Sequence, residues 1–380
     1  NEIKLATANM KFNSGDVALQ NFVATTGQTD LAIDGTIHNL MGYLFTDQNL
    51  KGNFKARSNT FSVNDFMIKK TPSDKKETKK TVSASGEAIK IPSFLDVQLD
   101  FVADKVLYDN LTLRNAKGGF KIVNETAAVN NVTASLFNGN SNLNGNVSTG
   151  QTVPTFGMKL DLNSIDIAQA FRDMELLQNL APIAQALKGN LTTNIDLRGN
   201  LNDDLTPKLQ TLAGNALAEI LGAKVDPNQT PLLAQLDQKL KFIDLNDLNL
   251  KDLKTKLTFN NGQVEVQPFD FNIKGIKATA SGSHGFDKNM HYNLELKIPA
   301  KYLGKELGGS LSKLSAKAQD SMTVELPVGI SGTFNSPTIN LNMQQAVNSL
   351  TQQIIASQTE KLQEKGKNIL TDIITGKTKK

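Results

Sequence analysis

The first residues to test for chemistry in this 380-residue chain are its three histidines, His38, His284 and His291. His284 and His291 lie seven positions apart across an expected turn, with Asp287 between them. A metal site needs ligands that converge and a second shell that orients them, and this spacing supplies neither. The acidic trio Asp244, Asp247 and Asp252 faintly resembles a calcium loop but has no central glycine and no terminal glutamate. Leucines at 245, 248, 250 and 253 make the same stretch read as a strand with a wet polar edge. Asp203 and Asp204 form a carboxylate pair of the kind used in glycoside hydrolysis, but they sit in a turn-like Asn202-Asp203-Asp204 context with no cleft signalled. Nucleophile-elbow, zincin, phosphate-loop and dinucleotide motifs are absent from the sequence. With no cysteine there is no thiolate catalysis, disulfide or zinc–thiolate site. The residues therefore read as a non-enzymatic protein with no catalytic residue, metal or cofactor.

Charge narrows the partners further. The net charge is +4, and the segment Lys69–Lys80 alone carries six lysines against Asp74 and Glu77. The remainder is close to neutral, so no extended positive field attracts nucleic acid. The absence of tryptophan and an aromatic content of 6% argue against a base-stacking platform. The lysine run reads as a solvated, mobile loop over 69–85, with contact to anionic lipid as the alternative. No run reaches the roughly 18 apolar residues of a membrane span. The chain starts at Asn1 without a charged n-region or an apolar h-region, as expected of a processed or excised fragment whose membrane anchor would lie further N-terminal.

What remains is patterned apolar surface. Period-two alternation dominates, which puts alternate side chains on one face of a pleated strand. Leu95, Val97, Leu99 and Phe101 alternate with acids and an amide, and Phe156, Met158, Leu160 and Leu162 form a second series. Leu294, Leu296 and Ile298 form a third, and Leu326, Val328 and Ile330 a fourth. Three windows also align without gaps: Phe12–Gly35, Ile122–Gly145 and Phe259–Gly282, at offsets of 110 (122 − 12) and 247 (259 − 12). Val17, Ala127 and Val264 correspond, as do Leu19, Val129 and Val266, and Phe22, Val132 and Phe269. Phe271 extends the third window's face. A repeated strand–turn–strand unit builds an extended body whose function lies along a continuous surface. Asn13-Ser14-Gly15 and Asn260-Asn261-Gly262 mark hairpin turns. Asn124-Glu125 takes their place in the middle window and predicts a different turn geometry there. Gly35, Gly145 and Gly282 are expected where a strand bends or ends.

Two regions depart from alternation. Ile165–Leu187 has helix-like apolar spacing with Ser164 as a cap and Pro182 dividing two short helices. Leu209–Leu221 and Leu232–Leu240 read as further helical pieces, and Tyr302–Gln319 as a small helix interrupted at Gly308-Gly309. Val347, Leu350, Ile354, Leu362, Ile369 and Ile373 predict an amphipathic C-terminal helix with Gly366 as its weak point. The resulting organisation is a β unit over 1–68, the loop over 69–85 and a second β unit over 86–163. A helical insertion with a short β segment over 164–240, a third β unit over 241–343 and the helix over 344–380 follow. Alternation alone does not say whether the apolar faces close on one another as a core or line an open groove.

Several stretches also resemble a known family. Leu95–Val129 (LDVQLDFVADKVLYDNLTLRNAKGGFKIVNETAAV) and Ala134-Ser135-Leu136-Phe137-Asn138-Gly139 are similar to the C-terminal region of the AsmA family of bacterial envelope proteins. Gly118, the run Gly262–Phe269, Ile330–Ile339, Thr36–Leu40 and Leu50-Lys51-Gly52 add to the likeness, which spans most of residues 1–345. The resemblance implies a periplasmic half-pipe of β-strands, anchored in the inner membrane by an N-terminal helix and associated with glycerophospholipid movement toward the outer membrane and with outer-membrane biogenesis. It brings no catalytic residues. The combined expectation is a mainly β fold, an elongated and curved antiparallel sheet of repeated units forming a groove, with a helical insertion and a C-terminal helix. The expected ligand is a phospholipid or other acyl-chain lipid, held on the four apolar series together with Phe259, Val264, Val266, Phe269 and Phe271, with envelope proteins as possible further partners. The alternative is a structural or assembly factor for outer-membrane proteins whose sheet is a closed core.

Overall fold

The computed structural model describes residues 2–13, 15–66, 89–243, 245, 249–250, 253–303 and 322–374. The lysine run, the acidic trio and, beyond Leu303, the helix expected within Tyr302–Gln319 lie outside the described residues. The fold is mainly β, an open and mostly antiparallel sheet with few helices. The elements in order are β1 (Ile3–Phe12), β2 (Asp16–Thr26), β3 (Thr29–His38), α1 (Leu40–Thr46), β4 (Leu50–Ser62), β5 (Leu95–Tyr108), β6 (Leu111–Val123), β7 (Thr126–Leu136) and β8 (Gly139–Ser148). They continue with β9 (Thr155–Asp166), α2 (Ile167–Asp173), α3 (Glu175–Leu180), β10 (Leu187–Asn200), β11 (Ala213–Val225), α4 (Pro231–Lys239), β12 (Asn249–Leu250), β13 (Leu253–Asn260) and β14 (Gln263–Ile273). The chain ends with β15 (Ile276–Gly285), β16 (Met290–Pro299), β17 (Thr323–Gly332), β18 (Pro337–Leu341) and α5 (Met343–Ile374).

Two compact units divide the chain. The first comprises Asn1–Ala223, Lys254–Val266 and Gly285–Asp287; the second comprises Lys224–Leu253, Gln267–His284 and Lys288–Lys380. In the first unit β1 to β10 pair in sequence order, each with the next. β4 and β5 run parallel, against the antiparallel expectation. The 32 residues from Val63 to Phe94 supply the long crossover that a parallel pair requires.

The repeat is visible in the register. Phe12 pairs with Val17, Ile122 with Ala127 and Phe259 with Val264, so each window opens on the same hairpin. Leu19 opposite Gly35 matches Val129 opposite Gly145. The middle turn does not differ from the third: Asn124 and Glu125 have φ of 50° and 53°, Asn261 and Gly262 48° and 78°, all in the left-handed region of a two-residue hairpin turn. Glu125 adopts it without being glycine because the flanking register leaves only two residues to reverse the chain. The closing glycines lie within β3, β8 and β15 and end no strand. Gly35 pairs with Phe54 and Gly282 with Tyr292, and a Cβ at either would strike the partner's ring and backbone. The aromatic side chain on the neighbouring strand lies over the space that glycine leaves.

Each of the first two windows also carries a bulge. Pairing slips between Leu19 and Phe22, and between Val129 and Val132. Asn21 and Asn131 occupy the left-handed region there, with φ of 54° and 49°. The displaced Asn21 N–H donates to Asp34 Oδ1 at 2.9 Å, and the Asn131 N–H to Asn144 Oδ1 at 2.9 Å. Both donors and both acceptors are related by the same offset of 110 (131 − 21 and 144 − 34). The bulge bends its strand and strengthens the local twist. In the third window the equivalent position is Pro268, which has no N–H to donate.

A carboxylate fixes β4 onto β3. Asp30 accepts from the N–H of Asn59 at 3.1 Å and of Thr60 at 2.6 Å, from Asn59 Nδ2 at 2.7 Å and from Ser58 Oγ at 3.3 Å. Partial desolvation pushes this carboxyl up, but the four donors outweigh it and hold the group below the ordinary carboxylate range. A lowered folded-state pKa means that the stabilisation is present above the ordinary carboxylate pKa and is lost as pH falls through the folded value. Asp30→Asn is therefore expected to cost about 1 kcal/mol at pH 6, and thermal melts of the two proteins should converge below roughly pH 4.

The stretch 164–240 is less helical than its sequence suggests. Leu209–Leu221, expected as helix, is a short 3-10 turn followed by the 13-residue strand β11. Ala216 and Ile220 are buried on one side of it, while Leu217 and Leu221 are exposed. Pairing with β10 and β13 overrides the leucine spacing. Two short helices form, but both precede Pro182: α2 and α3 break at Met174, Pro182–Ala186 is a 3-10 turn, and the cap is Asp166, whose Oδ1 accepts the Gln169 N–H at 2.7 Å. α4 matches its expected span. In the second unit β15 to β18 pair antiparallel, and α5 continues through Gly366 to Ile374.

Candidate functional site

Registered partners in the first unit align apolar side chains into rows that cross the strands. One row runs Phe12, Val17, Ile37, Gly52, Val97, Ile122, Ala127, Val147, Phe156, Gly199 from β1 to β10. The next runs Met10, Leu19, Gly35, Phe54, Leu99, Phe120, Val129, Gly145, Met158, Leu197. A third contains Phe22, Ile33, Ala56, Phe101 and Gly118, and beyond the bulge Val132, Leu143, Leu160 and Ile195. At about 4.8 Å between strands, the first two rows, each crossing ten strands, are about 43 Å long, and the third, crossing nine, about 38 Å. Each is longer than an extended acyl chain.

The face is half-open. Val97, Leu99, Phe101, Phe120, Ile122, Val129, Val147, Phe156, Met158 and Leu160 are only half-buried. The helices α2 and α3 gather at β9 and β10 and bury Leu162, Ile165, Phe171, Leu177 and Leu180. At the far end of β5, β6 and β7, Ala103, Ala116 and Ala134 are buried under Phe61, Phe101, Val106 and Leu113. At the other end of the strands α1 exposes Met41, Leu44 and Phe45, the last at 77%. Its Tyr43 ring lies 5.3 Å from that of Phe94, where β5 begins. On β1 the apolar side chains Ile3, Leu5, Met10 and Phe12 are exposed at 49–70%.

The reverse face is polar. Asp34 pairs with Lys55, Lys55 with Asp100, and Asp100 with Gly119, whose missing side chain opens a hollow of about 320 Å³ bordered by Gln98, Lys121 and Asn130. A second hollow of about 460 Å³ adjoins it between Gln20, Asn53 and Lys55. These are shallow depressions between amides and mixed charges, with no converging catalytic set.

The remaining sequence candidates fall elsewhere. Phe259 and Val264 are buried in the first unit, and Val266, Phe269 and Phe271 are half-buried, the two phenylalanine rings 5.8 Å apart. Leu294, Leu296, Ile298, Leu326, Val328 and Ile330 do not line an open surface. Leu294 pairs with Val328 and Leu296 with Leu326, and α5 packs on β17 with Ala346, Leu350 and Ile354 buried. The six are 8% exposed or less and form the core of the second unit. Phe54, Phe120, Val147 and Leu197 are absent from the sequence candidates, and Ile122 and Val129 enter there only as the repeat equivalents of Phe12 and Leu19.

No histidine site assembles. His38 Nδ1 lies 2.9 Å from Asp16 Oδ1 at a half-exposed registered pair. His284 is buried, 2.9 Å from the Tyr292 hydroxyl and edge-on to Phe334 at 5.3 Å. Burial holds the Tyr292 phenol far above its usual range. His291 pairs with Ser283 and points to the opposite side from His284. Asp204 binds Thr206 within its own turn. Among the described residues no three acids or histidines are grouped to hold a metal ion, and no helix is long and apolar enough to cross a membrane.

No family model, curated protein or solved structure matches the chain.

Proposed function

We propose that this protein binds the acyl chains of phospholipids on the apolar face of β1–β10 and moves lipid between the inner and outer membranes of a bacterial envelope, working in the periplasm. The observation that carries the reading is the registered apolar rows, half-open over the middle strands of the first unit. Burying a methylene contributes up to about 0.8 kcal/mol relative to water. A lipid leaving a bilayer is already out of water, so such a face offsets the loss of the bilayer and permits exchange. Methylenes are alike, so selection among lipids by this face is weak. Headgroups stay hydrated at the strand ends, where charge is not desolvated. The exposed Met41, Leu44 and Phe45 of α1 suit the end through which lipid enters. The sequence resemblance to AsmA proteins supports the envelope setting and a role in outer-membrane biogenesis.

The test is transfer of a fluorescent phospholipid from donor to acceptor vesicles. The lipid-free chain should accelerate transfer at least tenfold, with little dependence on headgroup. Transfer no faster than the spontaneous rate, in protein shown to be folded, would overturn the reading. A second reading, an assembly factor for outer-membrane proteins, draws on the closed core of the second unit and on α5. Beyond Ile354 this helix leaves Ile355 and Leu362 exposed at 59% and 70%.

A further inference from the structure

We infer that the outer edge of β1 is a strand-addition site for an extended polypeptide segment of a partner that alternates apolar and acidic residues. Among the described residues of the first unit β1 pairs with β2 alone. All ten residues of the strand are exposed. It carries no proline, and so presents backbone donors and acceptors to another chain, regular over Asn9–Phe12 and interrupted by slips in pairing between Leu5 and Asn9.

The repeat shows what that edge accepts. β1 meets β2 in the same register as β6 meets β7: Phe12, Lys11, Met10 and Asn9 pair with Val17, Ala18, Leu19 and Gln20. Ile122, Lys121, Phe120 and Gly119 pair with Ala127, Ala128, Val129 and Asn130, every position shifted by 110. β6 has a further neighbour on its outer side. β5 runs antiparallel to it with Val97 opposite Ile122, Gln98 opposite Lys121 and Leu99 opposite Phe120. By the same geometry a strand entering beside β1 places apolar residues opposite Phe12 and Met10 and a polar residue opposite Lys11. It extends the apolar rows by one more strand.

Charge decides the occupant. Two copies of β1 pairing antiparallel bring their apolar residues onto one face over the whole strand with Phe12 opposite Ile3 and Met10 opposite Leu5. That register sets Lys11 against Lys4 at both ends, and like charges directly opposite destabilise a pair. Lysines on an edge strand discourage self-association in this way. A partner with Asp or Glu at the alternate positions converts both repulsions into attractions. This inference does not rest on the lipid reading, and its assay contains no lipid.

The probe is a fluorescent peptide with the sequence of Leu95–Tyr108 carrying Gln98→Glu, which puts an acid at the position that faces Lys121 of β6, compared with a version carrying Asp96→Lys, Gln98→Lys, Asp100→Lys and Asp104→Lys. The acidic peptide should bind at least tenfold more tightly than the basic one and protect the amides of residues 3–12 from hydrogen exchange. In the double variant Lys4→Glu, Lys11→Glu, which alters only exposed side chains, the preference should reverse. Equal binding of the two peptides, or protection elsewhere in the chain, would overturn the inference. So would a dimer in sedimentation whose interface is residues 3–12, because the edge would then belong to a second copy.

Discussion

Leu99→Arg is expected to reduce phospholipid uptake by the lipid-free protein at least tenfold while moving its melting temperature by no more than a few degrees. Leu99 is half-buried in the middle of the first unit's apolar face, with Phe54 and Phe120 as its registered neighbours. An arginine there can bend its stem along the open face and keep its guanidinium in water, so the sheet survives. An acyl chain crossing the same row would have to desolvate that charge, which costs several kcal/mol. Gln98→Arg is the control. Gln98 follows the opposite face, beside Lys121 and Asn53, and its substitution should leave uptake unchanged. If both variants lost uptake equally, the loss would be general and the face would not be the binding surface.

Leu296→Ala should act on stability instead of lipid. Leu296 is fully buried between Ala278 and Leu326 in the second unit. Truncating a leucine in such a place removes transfer free energy and leaves a cavity, for a cost of about 3–4 kcal/mol. Leu99→Ala, at a half-open site, should cost about 1 kcal/mol. Urea unfolding of both variants reads the difference. A cost below about 1 kcal/mol at Leu296 would mean that its surroundings are open, and that the second unit also exposes an apolar face. Leu296→Arg, by contrast, would place a charge in a packed core and report unfolding, not lipid access.

These two leucines also show where the sequence stops being informative. Leu95–Phe101 and Tyr292–Ile298 carry the same period-two pattern, and both become strands. One face stays half-open and the other is sealed, because Ala346, Leu350 and Ile354 of α5 fold back over β17. That covering is a long-range event with no trace in the alternation. The hairpins were legible because a hairpin is local: the three gapless windows open on three hairpins in identical register. The bulges were half-legible. Asn21 and Asn131, with Asp34 and Asn144, stand at the constant offset, but only the slipped pairing reveals why these residues are needed. At β11 the sequence misleads: Leu209, Leu212, Ala216 and Leu217 mimic helical spacing, whereas pairing with β10 and β13 decides the conformation. The parallel β4–β5 pair could not be read at all, since either direction buries the same alternate residues.

The face itself can be interrogated residue by residue. A photoreactive amino acid placed in turn at positions 97, 98, 99, 100, 120 and 121, in protein incubated with phospholipid vesicles, reports by mass spectrometry which side chains touch acyl chains. Positions 97, 99 and 120 should yield lipid adducts, and positions 98, 100 and 121 should not, because successive side chains on a strand point to opposite faces. Adducts spread evenly over all six positions, or none at any of them in folded protein, would contradict an acyl-chain surface on this sheet.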